Sequence, residues 1–372
     1  MSHNNDSLPL DGVRVLDLSR VLAGPLCAMM LGDLGADVIK VERPDAGDET
    51  RGWGPPFDER GESAYFLSIN RNKLGVAADF ATDAGQALVR RLISEADVVI
   101  DNFRHGVLSG FGLEPETLRA GRPELVWLTI SGFGSASDRA GYDVVIQAEQ
   151  GWMSITGPAE GPPSKIGVAL VDVITAKDAA AAILAALVAR GRSGVGARLQ
   201  VSLAKSATAA LVNVAQNVLV SGGDAKRWGN AHPNLVPYQL FDASDRAMIV
   251  AVGNDRQWLT LATALGLDDL ARDPSLATNA GRIAERDRVV NAVADRLRTR
   301  QAAEWSALLD REGVPCGIVR TVREALGTVD ASPLTGVAPA IPPGAVRLPP
   351  PRLDEHGDAI RATGWGAFRP AQ

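Results

Sequence analysis

Cysteine is nearly absent. Cys27 and Cys316 are the two in 372 residues, far apart and outside any CxxC pair. A disulfide-stapled secreted scaffold is excluded, and the chain reads as a protein of a reducing compartment. Histidine is equally sparse: His3, His105, His232 and His356 stand singly, none in an HExxH or comparable spacing, so no metal site is expected. Basic charge is short too. A formal net charge of −6 lacks the excess needed to displace counterions from a phosphate backbone, which excludes nucleic acid as a partner. Long apolar runs are missing as well. Ala179–Ala189, bounded by Asp178 and Arg190, falls short of the roughly 20 residues that cross a bilayer and reads as a buried helix. Met1–Leu10 has no basic stretch followed by an apolar core, so no signal peptide is expected; the expected location is cytoplasmic, with no membrane partner. No GxSxG elbow occurs, which argues against serine hydrolysis. Gly132-Phe133-Gly134 lacks the third glycine of a dinucleotide fingerprint and reads as a turn.

What is present is ample core material, 46% hydrophobic against 22% charged, enough for roughly two domains at about 150 residues each. Apolar runs alternate with helical patterns in the first part: strands at Val13–Leu18, Asp37–Glu42, Asp97–Asp101, Leu125–Ser131 and Ala197–Leu203, helices at Gly24–Leu34, Gly85–Glu95, Val173–Ala189 and Ala204 to about Ser221. That order predicts a mostly parallel sheet covered by helices. Beyond Gly222-Gly223 a strand at Ala247–Val252 and helices at Gln257–Leu265, Ile283–Arg300 and Ala302–Glu312 predict a smaller α+β domain. Ala331–Pro351 is rich in proline and glycine and reads as an extended crossing segment. The expected domains are therefore 1–222, 223–330 and a returning segment 331–372.

Asp172 directly precedes the long alanine-rich helix. Two readings stand: an N-cap accepting helical N–H bonds, or a carboxylate nucleophile, ionised at neutral pH, beside oxyanion donors supplied by the helix N-terminus. Gly24-Pro25 opens a helix after the first strand and presents backbone N–H groups in the same way.

Taken together, Leu10-Asp11-Gly12-Val13-Arg14-Val15-Leu16-Asp17, Ala23-Gly24-Pro25, Gly32–Pro44, Asn70-Arg71-Asn72-Lys73, Asp101-Asn102-Phe103-Arg104, Gly141-Tyr142-Asp143 and Gly167–Asp172 resemble the class III CoA transferases. That family includes formyl-CoA transferase, carnitine CoA transferase and the α-methylacyl-CoA racemases. The resemblance implies an α/β fold with a Rossmann-like large domain built from both chain ends, a smaller α+β domain, and an interlocked homodimer. It implies Asp172 as nucleophile, forming an aspartyl-CoA thioester. Coenzyme A then enters as part of the substrate, with no tightly bound cofactor, and the partners are acyl-CoA and carboxylic acids. Around CoA it implies Val21, Arg43, Lys73, Asn102 and Arg104, the cations pairing with phosphate or stacking on adenine. Around the acyl group it implies Arg20, Gly24, Tyr142, Gly253 and Asn254, with backbone N–H groups near Gly24 and Gly253-Asn254 as oxyanion donors worth roughly 3 kcal/mol each. Tyr142 stands where the racemases carry histidine. A phenol, with reference pKa about 10, is a poor base for an α-proton at neutral pH, so transfer is favoured over racemisation. Arg20, together with Ala225–His232, Val236-Pro237-Tyr238 and Gly253-Asn254, is most similar to the branch that exchanges CoA between succinyl-CoA and glutarate. A dicarboxylate user follows, Arg20 either pairing with the second carboxylate or bridging domains. The carboxyl end, Arg352–His356, departs from the family pattern.

Overall fold

Adjacent apolar pairs decide the sheet. On a strand, neighbouring residues face opposite ways, so Val15/Leu16, Val38/Ile39 and Val98/Val99 demand cover on both faces. The computed structural model describes residues 7–368 and supplies that cover. Six parallel strands, β1 (Arg14–Asp17), β2 (Asp37–Glu42), β3 (Lys73–Ala77), β4 (Val98–Asp101), β5 (Val126–Ser131) and β6 (Arg198–Ser202), lie in the order β3-β2-β1-β4-β5-β6. Val15, Val38, Val98 and Val126 point into one core, with α1 (Ala23–Asp33) and the long helix Leu170–Ser193. Leu16, Ile39, Val99 and Trp127 point into the other, with α2 (Asp83–Glu95). This strand order reverses direction between β1 and β4, the switch point where open α/β sheets bind ligands beyond their carboxyl ends.

The chain divides into two units. One takes in the described residues up to Trp152, Lys165–Gly223 and those from Val329 onward; the other is Met153–Ser164 with Asp224–Thr328. Residues 153–164 thus group with the second unit. In the first unit α3 (Asp143–Glu149) and α4 (Leu170–Ser193) follow β5. The helix expected from Ala204 to about Ser221 is two, Leu203–Ala209 and Val212–Ser221, broken where Val212 takes a positive φ of 41°. The proline-rich stretch runs along the β3 edge: Asn72 N–H donates to Leu348 O (2.9 Å) and Arg347 N–H to Asn72 Oδ1 (2.6 Å).

The second unit holds an antiparallel sheet of β7 (Tyr238–Asp242), β8 (Ala247–Ala251) and β9 (Cys316–Ile318). Over it lie α5 (Asp255–Ala264), α6 (Arg286–Leu297) and α7 (Ala302–Arg311), packed on Trp258, Trp305 and Leu261. The pattern expected over Ile283–Arg300 resolves into Asn279–Ala284 and α6. Buried Arg282 ties this unit together, donating to Val236 O (2.8 Å), Leu276 O (3.0 Å) and Asp255 Oδ1 (2.9 Å).

Candidate active site

At the carboxyl ends of β1, β4 and β5 the first unit encloses a cavity of about 640 Å³. Its walls are Arg20–Ala23 after β1, Asp101–Gly106 after β4, Ser131 and Gly132 after β5, and Tyr142 and Asp172. The cavity sits at the switch point that the strand order defines. A second hollow of about 480 Å³, by Ala77, Thr82, Arg91 and Arg361, has no carboxylate nucleophile on its wall other than Asp79, which follows β3.

Asp172 is not the cap of its helix. The N-cap is Ala169, and Asp172 stands third in α4, in the first turn. The cap comes from elsewhere: the Asp143 carboxylate, at the start of α3, accepts from Val171 N–H at 2.7 Å and Asp172 N–H at 3.3 Å through Oδ1. Its Oδ2 accepts from Gln147 Nε2 at 2.5 Å. The neighbouring amides are also engaged, Leu170 N–H on Val168 O and Val173 N–H on Ala169 O. The expected use of this helix N-terminus as an oxyanion donor is therefore corrected, because its first four amides are already bonded.

Burial first, and the Asp143 charge second, push the Asp172 carboxyl up to about 7. That upward shift works against the expected ionised carboxylate at neutral pH. Tyr65 lies within the field of this pair. Its phenol is pushed up to about 12 by burial and by Asp172, Asp143 and Asp48.

Arg20 lines the cavity with its guanidinium on Glu49, Nη1 to Oε1 at 2.5 Å, 5.7 Å from the Phe103 ring centroid. Glu49 Oε2 is buried without a hydrogen-bond partner. Asn102 clasps the Arg20 peptide from both sides, accepting from its N–H (3.0 Å) and donating to its carbonyl (2.7 Å). Val21, Arg104 and Tyr142 share the cavity wall, Tyr142 being 58% exposed.

Other expected site residues lie elsewhere. Lys73 is wholly buried, its ammonium donating to Asp17 Oδ2, Pro25 O and Asn70 Oδ1, each at 2.8 Å. A phosphate contact is corrected to a structural ion pair. Arg43 is exposed outside the cavity lining, with Nε on Gly47 O at 3.0 Å. Gly24 is buried in the first turn of α1 rather than on the wall; a Cβ there would stand 2.2 Å from Ser19 Oγ, so close packing requires the glycine. Gly253 and Asn254 belong to the second unit. Asn254 caps α5 through Gln257 N–H (2.9 Å), and Gly253 N–H donates to Gln257 Oε1 (2.8 Å), which takes that amide out of the expected oxyanion set. Sequence reasoning missed Asp143, Asp48 and Glu49. Asp143 stood inside a quoted motif, but its bond to residues 28 and 29 positions away has no local signal.

No cluster of three or more metal-ligating side chains occurs among the described residues, and none of their helices is long and apolar enough to cross a membrane. A parallel α/β sheet with a half-buried carboxylate in the cavity at its ligand-binding end has the parts of an enzyme site in which a carboxylate meets a bound substrate. The particular family follows from comparison: the model of CoA-transferase family III matches residues 10–337, and the chain belongs to that family. It is 39% identical over 384 residues to a succinate–glutarate CoA-transferase of Agrobacterium fabrum, covering 96% of each chain. It is 40% identical to the succinyl-CoA:glutarate CoA-transferase of Homo sapiens, covering 87% of this chain and 74% of that one. A crystal structure of a CaiB/BaiF family protein from Brucella suis superposes with a TM-score of 0.86 at 43% identity, covering 96% of this chain and 99% of that one. The protein is thus a CoA-transferase, with CoA thioesters and carboxylic acids as its substrates.

Proposed function

We propose that the protein moves CoA from succinyl-CoA to glutarate, or to a diacid of similar length, through an aspartyl-CoA thioester on Asp172. The observation that carries this reading is the Asp172 carboxyl in the wall of the switch-point cavity, sharing it with Arg20. The Asp172 carboxylate attacks the thioester carbonyl, forming a mixed anhydride and releasing CoA thiolate. The thiolate attacks the aspartyl carbonyl, the donor acid leaves as its carboxylate, and aspartyl-CoA remains. The acceptor carboxylate then reverses both steps, so that one exchange becomes four smaller ones. Donors sharing the cavity include the Tyr142 hydroxyl and the Arg20 guanidinium, which answers a second carboxylate once Glu49 yields it. Val21, Asn102 and Arg104 flank the CoA moiety, and Arg43 reaches its nucleotide end.

The same reading includes a Rossmann-like large domain, a small domain at about 223–330, a cytoplasmic location and no tightly bound cofactor. It also includes an interlocked homodimer. Exposed Val212, Leu219 and Val220 on the helix Val212–Ser221 support an interface there. Sedimentation equilibrium tests it, a monomer being the adverse result.

A chromatographic transfer assay with succinyl-CoA and a panel of acids, run on wild type and Asp172→Ala, tests the chemistry. A new, acceptor-dependent CoA ester that vanishes in the variant is expected. A folded, CoA-binding wild type that transfers nothing to any diacid refutes the substrate assignment.

A further inference from the structure

The segment Ser19–Val21 leaves β1 and becomes cavity wall, and side chains from four places hold its backbone. Ser19 N–H donates to Asp17 Oδ1 (3.0 Å), and Ser19 O accepts from Lys40 Nζ (2.9 Å). Asn102 clasps the Arg20 peptide. Val21 N–H donates to both oxygens of Asp48, each at 3.3 Å. Val21 needs such a hold, because its φ of 70° is a conformation that a β-branched residue rarely adopts. Asp48 is itself fixed by Lys40 Nζ (3.1 Å), Thr50 N–H (3.0 Å) and Thr50 Oγ1 (2.8 Å), and both members of the Lys40–Asp48 pair are buried. Around them stand Asp17, Lys73 and Glu42, which keep the cluster charged on both sides.

We propose that the buried Lys40–Asp48 pair is a positioning element that holds Val21 in its left-handed conformation and so shapes the wall that receives the CoA thioester. The inference rests on the reading of this cavity as the CoA site. A buried pair is a costly way to gain stability, since well-packed apolar replacements of both partners are often neutral; a role in backbone placement accounts for its presence beside the cavity.

The test is the full-length double variant Lys40→Met/Asp48→Leu, with and without Val21→Gly. The pair variant should unfold near the wild-type midpoint. Its KM for acyl-CoA and its Kd for CoA should rise about tenfold, the scale of one strained residue's conformational preference, with a smaller change in kcat. Adding Val21→Gly should recover most of that loss, because glycine takes the same φ without a clamp; a merely weakened fold would gain nothing from it. If the pair variant does not fold, Asp48→Asn, which keeps the shape and one acceptor oxygen, carries the same comparison. Unchanged KM and Kd in a folded variant, or no recovery with glycine, overturns the positioning role while the functional reading stands. Wild type that fails to bind CoA overturns both.

Discussion

Replacing Asp172 with asparagine should stabilise the protein while abolishing transfer, and the stabilisation should depend on pH. The folded-state pKa is raised, from 3.8 to about 7, so the native state binds the proton more tightly than the unfolded chain does. Stability therefore falls as pH rises from about 4 to 7, and above that window the full cost of the buried charge remains. A shift of about 3 units corresponds to roughly 4 kcal/mol, of which roughly 2.5 accrues between pH 5 and pH 8. The carboxyl reaches solvent through the cavity, and screening reduces that share to about 1–2 kcal/mol. Asparagine carries no charge at any of these pH values. The melting-temperature gap between variant and wild type should accordingly widen by roughly 2–4 °C from pH 5 to pH 8 in scanning calorimetry. A gap of the same size at both pH values would falsify the assignment of a raised Asp172.

Asp143→Asn keeps an oxygen for the Val171 and Asp172 amides but removes the charge, so the acid limb of kcat/KM should move to lower pH; Asp143→Ala should also lose the cap, about 1 kcal/mol in urea unfolding, and lower kcat. An unmoved acid limb in Asp143→Asn would show that its charge does not act on Asp172. Arg20→Met should weaken diacid acceptors more than monoacids in the transfer assay, and equal loss for both would sink the pairing role. Lys73→Met leaves the buried Asp17 with Lys40 at 4.0 Å as its remaining cation and should cost about 3–5 kcal/mol in denaturant unfolding; a stable variant with weakened CoA binding would restore the phosphate reading instead.

Strands β1, β2, β4 and β5 are legible because each offers apolar residues to both faces within a short run, and β6 because Ala197, Leu199 and Val201 alternate onto one core. Strand β3 is not, since it opens on Lys73 and contains Gly75, and a buried ammonium looks like surface until its partner is known. That partner, Asp17, is 56 residues away. The break between Leu203–Ala209 and Val212–Ser221 carries neither glycine nor proline, so an apolar pattern ran straight through it. Asp172 stands out in the sequence through its motif, whereas its surroundings do not, because the amides of Val171 and Asp172 bond to Asp143, 28 and 29 positions away.

That allocation bears on the chemistry. A carboxyl held near 7 is a stronger base than a free substrate acid, with reference pKa about 4.3. In the mixed anhydride of the proposed route, thiolate attack on the aspartyl carbonyl would expel the substrate carboxylate, the weaker base and better leaving group. Attack on the substrate carbonyl must expel Asp172 instead. On the proposed route the raised basicity of Asp172 therefore favours passage to aspartyl-CoA over return to donor, and it works against the final step, in which thiolate attack on the acceptor carbonyl must expel Asp172. A helix N-terminus left open to Asp172 would lower its pKa and erase that bias. Occupying the Val171 and Asp172 amides with the Asp143 carboxylate keeps Asp172 basic, at the cost of some of its ionised population near neutral pH.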